Sequence, residues 1–154
     1  MARPRARLSL KGRALQLLAQ RDQSRVELRI KLLRHVAADP EVEAELGRAE
    51  VEALLDWLEA NRYLSAERFA ESRVHARAAR FGNRRIRAEL AQHGVALAPE
   101  VAQALSESEL QRAAVVRERR FQAPPRDASE RAAQARFLAG RGFSAEVIQR
   151  VLRR

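Results

Sequence analysis

The chain has 154 residues, enough for one domain or a short array of small units. It has no cysteine, which excludes disulfides and thiolate metal sites and suits a reducing cytoplasm. Thirty basic residues against twenty acidic ones give +10, and 28 of the thirty are arginine, whose planar fork pairs with carboxylate or phosphate.

The first stretch, MARPRARLSLKGR, is basic but has no apolar core of the secretory type. No run approaches the roughly 18 apolar residues of a membrane span, so a cytoplasmic protein without a membrane partner is expected. Charge is banded: residues 3–34 carry +8, 35–60 carry −7, 61–93 carry +5, 94–109 carry −3 and 110–154 carry +7. Separate basic and acidic surfaces follow from such banding, the basic ones suited to nucleic acid.

Apolar residues recur at helical spacing, and strand signals are nearly missing. A first helix over about 11–21 carries Leu15, Leu18 and Ala19 on one stripe. Ser24 has the place of an N-cap, with Glu27 at the capping-box position, ahead of Leu28, Leu32 and Leu33. An acidic connector over 36–49, with Pro40 and Gly47 as breakers, reads as a loop. Val51, Leu54, Leu55 and Leu58 mark a third helix ending near Asn61.

The pattern then restarts. Ser65 caps a fourth helix with Phe69, Ala70 and Val74 inward, and Asn83 caps a fifth with Ile86 and Leu90 inward. Gly94 ends the fifth as a residue able to take positive φ. A short sixth helix runs from Pro99 to Leu105, and Ser108 opens a seventh with Leu110, Ala114 and Arg117. After Pro124-Pro125, Ser129 caps an eighth helix that Gly142 closes, and Ser144 caps a ninth through Val147, Ile148, Val151 and Leu152.

The middle helices of the three groups align at Leu32, Leu90 and Leu138, each followed four residues later by Val36, Gly94 or Gly142. The expected fold is all-α: a tandem array of three three-helix repeats, about nine helices, elongated and curved. Its parts are a basic tail over 1–10, then repeats over 11–64, 65–107 and 108–154.

No catalytic constellation is visible. His35 and His93 sit at equivalent helix ends, where an imidazole suits the helix dipole. No HExxH, P-loop or GxSxG occurs, and the acidic connector lacks EF-hand spacing. An enzyme, a metal site and a cofactor are therefore not expected.

Binding has better support. Arg73, Arg77 and Arg80 fall three and four apart on the fourth helix, and Arg84 and Arg87 share a face of the fifth. Arg85 is placed to pair with Glu89, which leaves Arg73, Arg77, Arg80, Arg84 and Arg87 as a free positive face. That face is either a solvated surface or a partner contact. Trp57 and Tyr63 are possible partner contacts, with core packing the preferred role for Trp57. With so few aromatics, nucleic-acid contact would be mainly to phosphates.

Three stretches, ALQLLAQRDQSRVELRIKLL, ALLDWLEANRYLSAERFAESRVHARAARFGNRRIRAEL and ARFLAGRGFSAEVIQRVL, resemble the RecX family of bacterial regulators of the RecA recombinase. The most specific matches are Tyr63-Leu64, Glu67-Arg68-Phe69-Ala70 and Arg141-Gly142-Phe143-Ser144. The family often has Tyr-Gly-Pro where this chain has Phe81-Gly82-Asn83, and its connector after the second helix is usually shorter. The resemblance implies three tandem three-helix repeats and binding to the RecA nucleoprotein filament. It also implies inhibition of the filament's ATPase, strand-exchange and coprotease activities. From the residues, no dimerisation seam is visible, so a monomer is expected, and single-stranded DNA is an expected partner in the filament or weakly on its own. The alternative from the residues alone is a direct DNA-binding protein of helix-turn-helix type.

Overall fold

The structure is a computed structural model that describes residues 7–153. Most of the basic tail expected over 1–10, and Arg154 at the end of the third repeat, lie outside the described residues. Eight helices are found among those described: α1 (Leu10–Gln20), α2 (Arg25–Ala37), α3 (Ala44–Ala60), α4 (Ala66–Arg77), α5 (Asn83–Gln92), α6 (Pro99–Phe121), α7 (Ala128–Gly140) and α8 (Ala145–Leu152). The all-α expectation holds, but the count is eight rather than nine. The expected sixth and seventh helices are one, α6, which runs through Ser108 without a break. The Ser108 hydroxyl donates to Leu105 O inside the helix instead of capping a new one.

The chain divides into two compact units, Met1–Phe69 and Ala70–Arg154. In the first, α1 packs on α2 and α2 on α3 around Ala14, Leu17, Leu28, Leu32, Val51, Leu55, Leu58 and Leu64. The stripe of α1 is turned from the expected one: Ala14 and Leu17 are buried, Leu15 and Leu18 half-buried, and Ala19 exposed. Ser24 caps α2 by accepting from Glu27 N at 3.1 Å, as its spacing predicts. Residues 7–10 are not a loose tail, because Arg7 donates to His35 O and pairs with Asp39, while Ser9 caps α1.

The acidic connector is shorter than expected. α3 begins at Ala44, so only residues 38–43 link it to α2. Gly47 is no breaker here: it is buried inside α3, and a Cβ on it would overlap the Val36 side chain. Arg25 of α2 meets Glu52, Asp56 and Glu59 of α3, and Arg29 meets Glu52. Half of the eight carboxylates of the acidic band, Asp39, Glu52, Asp56 and Glu59, are thus answered from within this unit.

In the second unit α6 packs against α5, α7 and α8, and α7 against α8. Its main core gathers Ala113, Val116, Leu138, Phe143, Val147, Ile148, Val151 and Leu152. Along α6 the buried face includes Ala113, Val116 and Arg117, while Leu110 and Ala114 are half-buried. Asp127 rather than Ser129 caps α7, accepting from Glu130 N at 2.8 Å, and Ser144 caps α8 as expected. The three aligned leucines, Leu32, Leu90 and Leu138, are all buried. Gly94 and Gly142 take φ of +66° and +89°, the left-handed region open to glycine, as their positions after helices predict. Val74, expected inward, lines an open apolar groove of about 660 Å³ between α4 and α6.

Candidate functional site

The turn Phe81-Gly82-Asn83 lies against another turn sixty residues away. Gly82 N donates to Arg141 O at 2.8 Å, and Arg84 N donates to Gly142 O at 3.1 Å. The approach is backbone to backbone: a Cβ on Gly82 would overlap the carbonyl of Gly142 and the amide of Phe143. A Cβ on Gly142 would likewise overlap Arg85. Glycine stands at each point because nothing larger fits.

Arg112 of α6 holds this junction. It donates to Ala78 O at 3.0 Å, Phe81 O at 2.8 Å and Leu105 O at 3.1 Å, to Ser108 Oγ at 3.0 Å, and to Asn83 Oδ1. Burial pulls its guanidinium below the ordinary arginine range, against the opposing pull of the Glu109 charge. Asn83 therefore does not cap α5. Gly82 holds that place without a side-chain bond, Asn83 Oδ1 is taken by Arg112, and Asn83 N donates to the buried Glu109 carboxylate at 3.0 Å.

Around the buried Phe81 ring stand four guanidinium groups: Arg85 at 4.1 Å, Arg141 at 5.4 Å, Arg80 at 5.5 Å and Arg77 at 5.8 Å from its centroid. The ring's negative face attracts each cation and offsets part of their mutual repulsion. The five arginines expected to form one free face are divided. Arg77 pairs with Glu89 at 3.1 Å, so it is not free, and Arg85 shares the same carboxylate at 3.8 Å. α4 ends at Arg77, which leaves Arg80 exposed in the following turn rather than on the helix. Arg73 is half-buried. Arg84 and Arg87 are exposed on α5 without an ion pair among the described residues.

In the first unit, Trp57 does not pack in the core as preferred from its spacing. It is 37% exposed and stacks on Tyr63, itself 50% exposed, with centroids 5.5 Å apart, while Lys11 Nζ sits 3.8 Å over the indole. The turn that carries Tyr63 is fixed by Arg68, which donates to Arg62 O at 2.7 Å and Tyr63 O at 3.2 Å. This contact gives the Tyr63-Leu64 and Glu67-Arg68-Phe69-Ala70 motifs a joint structural role. Arg112, Arg119, Arg120 and Arg141 were not picked out as site residues by spacing. Arg141 alone carried a signal, its place beside Gly142-Phe143-Ser144.

Models of the RecX second three-helix domain and of the RecX third three-helix domain match residues 67–105 and 107–152. The chain belongs to the RecX family. The protein named Regulatory protein RecX from Ralstonia nicotianae is 49% identical over 154 residues, covering 99% of this chain and 91% of that one. The one from Herbaspirillum seropedicae is 51% identical over 144 residues, covering 92% and 87%. The crystal structure of RecX from Lactobacillus salivarius superposes with a TM-score of 0.67 at 15% identity, covering 94% of this chain and 92% of that one, and shows a shared fold. Within this RecX chain, Arg112 lies in the third-domain match and grips a turn in the second-domain match. No helix among the described residues is long and apolar enough to cross a membrane.

Proposed function

We propose that this chain is a cytoplasmic, monomeric regulator that binds the RecA nucleoprotein filament and inhibits its ATPase, strand-exchange and coprotease activities, without chemistry of its own. The observation that carries this reading is the similarity, over nearly the whole chain, to proteins named Regulatory protein RecX. The contacts are assigned to Arg73, Arg77, Arg80, Arg84 and Arg87, with Trp57 and Tyr63 as a second patch. The exposed guanidinium forks of Arg80, Arg84 and Arg87 suit DNA phosphates or acidic protein surface, with Arg73 and Arg77 half-buried beside them, and the exposed, stacked aromatic pair suits a protein contact.

Arg84 and Arg87 give the cleanest test, because they are exposed and outside the ion pairs that bind Arg77 and Arg85. RecA hydrolyses ATP on saturating single-stranded DNA, and the parent chain is expected to suppress that rate. The Arg84→Ala/Arg87→Ala variant should fold like the parent, since alanine favours helix, and should inhibit several-fold less well. Failure of the parent to inhibit would overturn the functional reading. Full inhibition by the variant would move the contact elsewhere and leave the reading in place.

A further inference from the structure

Beside the Phe81 cluster the second unit holds a recess of about 380 Å³. Arg80, Arg119, Arg120 and Arg141 line it, with Val116 and Phe137 as its larger apolar walls, and no carboxylate lines it. None of the four arginines has an ion pair among the described residues, whereas Arg77, Arg85 and Arg117 nearby in the chain each have one. Three of them, Arg80, Arg120 and Arg141, contact aromatic rings instead. Arg141 lies 5.2 Å from the Phe137 centroid, Arg120 lies 5.2 Å from that of Phe121, and the two phenylalanines meet edge to face at 5.4 Å. The backbone under Arg141 is tied to Gly82 and cannot shift freely.

Four like charges converging on one small concavity repel each other, and no carboxylate among the described residues lines it to relieve them. A ligand that does so must bring concentrated negative charge and oxygen acceptors for planar forks. Phosphate meets both needs, and arginine's bidentate geometry fits it. We propose that this recess is a phosphate-binding site, taking either a phosphodiester segment of single-stranded nucleic acid or a free polyphosphate. The proposal does not rest on the RecA reading, and its test contains no recombinase.

The full chain is titrated with a fluorescent oligo-dT and, separately, with inorganic tripolyphosphate. The side chains of Arg119 and Arg120 are exposed and make no hydrogen bond or ion pair among the described residues, so Arg119→Gln/Arg120→Gln should keep the fold. Its affinity for one or both probes should fall by about tenfold, with a salt slope shallower by ~0.7 for each strand phosphate lost. Arg136→Gln/Arg150→Gln removes the same charge from exposed positions of α7 and α8 that do not line the recess, and should weaken binding by less than about threefold. A loss confined to oligo-dT assigns the recess to a strand, and one confined to tripolyphosphate assigns it to a free ligand. A loss with both, with tripolyphosphate displacing oligo-dT, assigns it to phosphate from either source. Equal losses in the two doubles, or none in the first, would overturn the proposal. Should the first double fold poorly, Arg119→Gln alone carries the same test: a several-fold loss is expected, and unchanged affinity overturns it.

Discussion

In Met1–Phe69 thirteen basic residues stand against eleven acidic ones, a net +2, and the arginines of α2 close on the carboxylates of α3. In Ala70–Arg154 seventeen stand against nine, a net +8, and exposed arginines such as Arg80, Arg84, Arg87, Arg119 and Arg120 have no ion pair among the described residues. The same residue type therefore does different work in the two units. Where it is paired, as Arg25 and Arg29 are, it offers little field to a distant anion. Where it is exposed without an ion pair among the described residues, as Arg84 and Arg119 are, it keeps a positive potential that steers phosphate and acidic surfaces. The second unit also uses an arginine internally, since Arg112 donates to Ala78 O and Phe81 O, two carbonyls of the turn ahead of α5.

The largest expected effect tests the internal junction of that second unit. Gly82→Ala places a methyl group into the backbone of Gly142 and Phe143, which cannot swing aside as a side chain would. A cost of about 3 kcal/mol or more follows, a drop of roughly 10 °C in thermal midpoint for a chain of this length. An unchanged midpoint would mean that the two turns are not pressed together, and the contrast with the ion-paired first unit would lose its basis.

Next come the cores, where the two units should behave alike. Leu32 and Leu90 hold equivalent positions and are 0% and 1% exposed. Leu→Ala at either should cost roughly 2–5 kcal/mol, with little dependence on salt. Paired denaturant melts at low and high salt check this. A strong salt effect at only one of the two sites would show that the units differ in more than their surfaces.

The parallel between Leu32 and Leu90 was legible in the sequence because it is local: a cap, an apolar stripe and a stop lie within a dozen residues. Ser24, Ser65 and Ser144 were readable as caps for the same reason, and each accepts the amide three residues on. The errors arose where distant residues decide. Ser108 has cap chemistry, yet its hydroxyl accepts from Arg112 Nε while α6 continues past it. Gly47 has breaker chemistry, but its missing side chain makes room for Val36 across from α3. Shortening the connector through Glu45 would thus cut into α3 instead of trimming a loop. At the candidate site, the spacing of Arg84 and Arg87 was enough to place them on an exposed face. The pairing of Arg77 with Glu89 needs a chain reversal between α4 and α5, and spacing along either helix cannot show it.

The smallest expected effect concerns the acid response of the first unit. Burial alone would raise the pKa of Glu27, but its hydrogen bond from Arg21 and the charges of Arg21 and Lys31 outweigh that and lower it to about 2. In the unfolded chain the group should titrate at about 4.3. A depressed folded value means that the contribution is fully present above the unfolded value and is lost as pH falls toward about 2. Glu27→Gln should therefore cost on the order of 1–2 kcal/mol at neutral pH, discounted because Arg21 is substantially exposed. Urea midpoints of parent and variant should converge, with roughly half of the gap closed by pH 3. In the second unit, Arg126, just ahead of α7, pairs with Glu130 in its first turn and likewise lowers the Glu130 pKa, but the Arg126 side chain is 84% exposed. Screening there should leave Glu130→Gln with a smaller and flatter response. A gap at Glu27 that stays constant from pH 7 to pH 3 would show that the Arg21 contact does not persist in solution. The first unit's internally answered charge would then rest on Arg7, Arg25, Arg29 and Arg68.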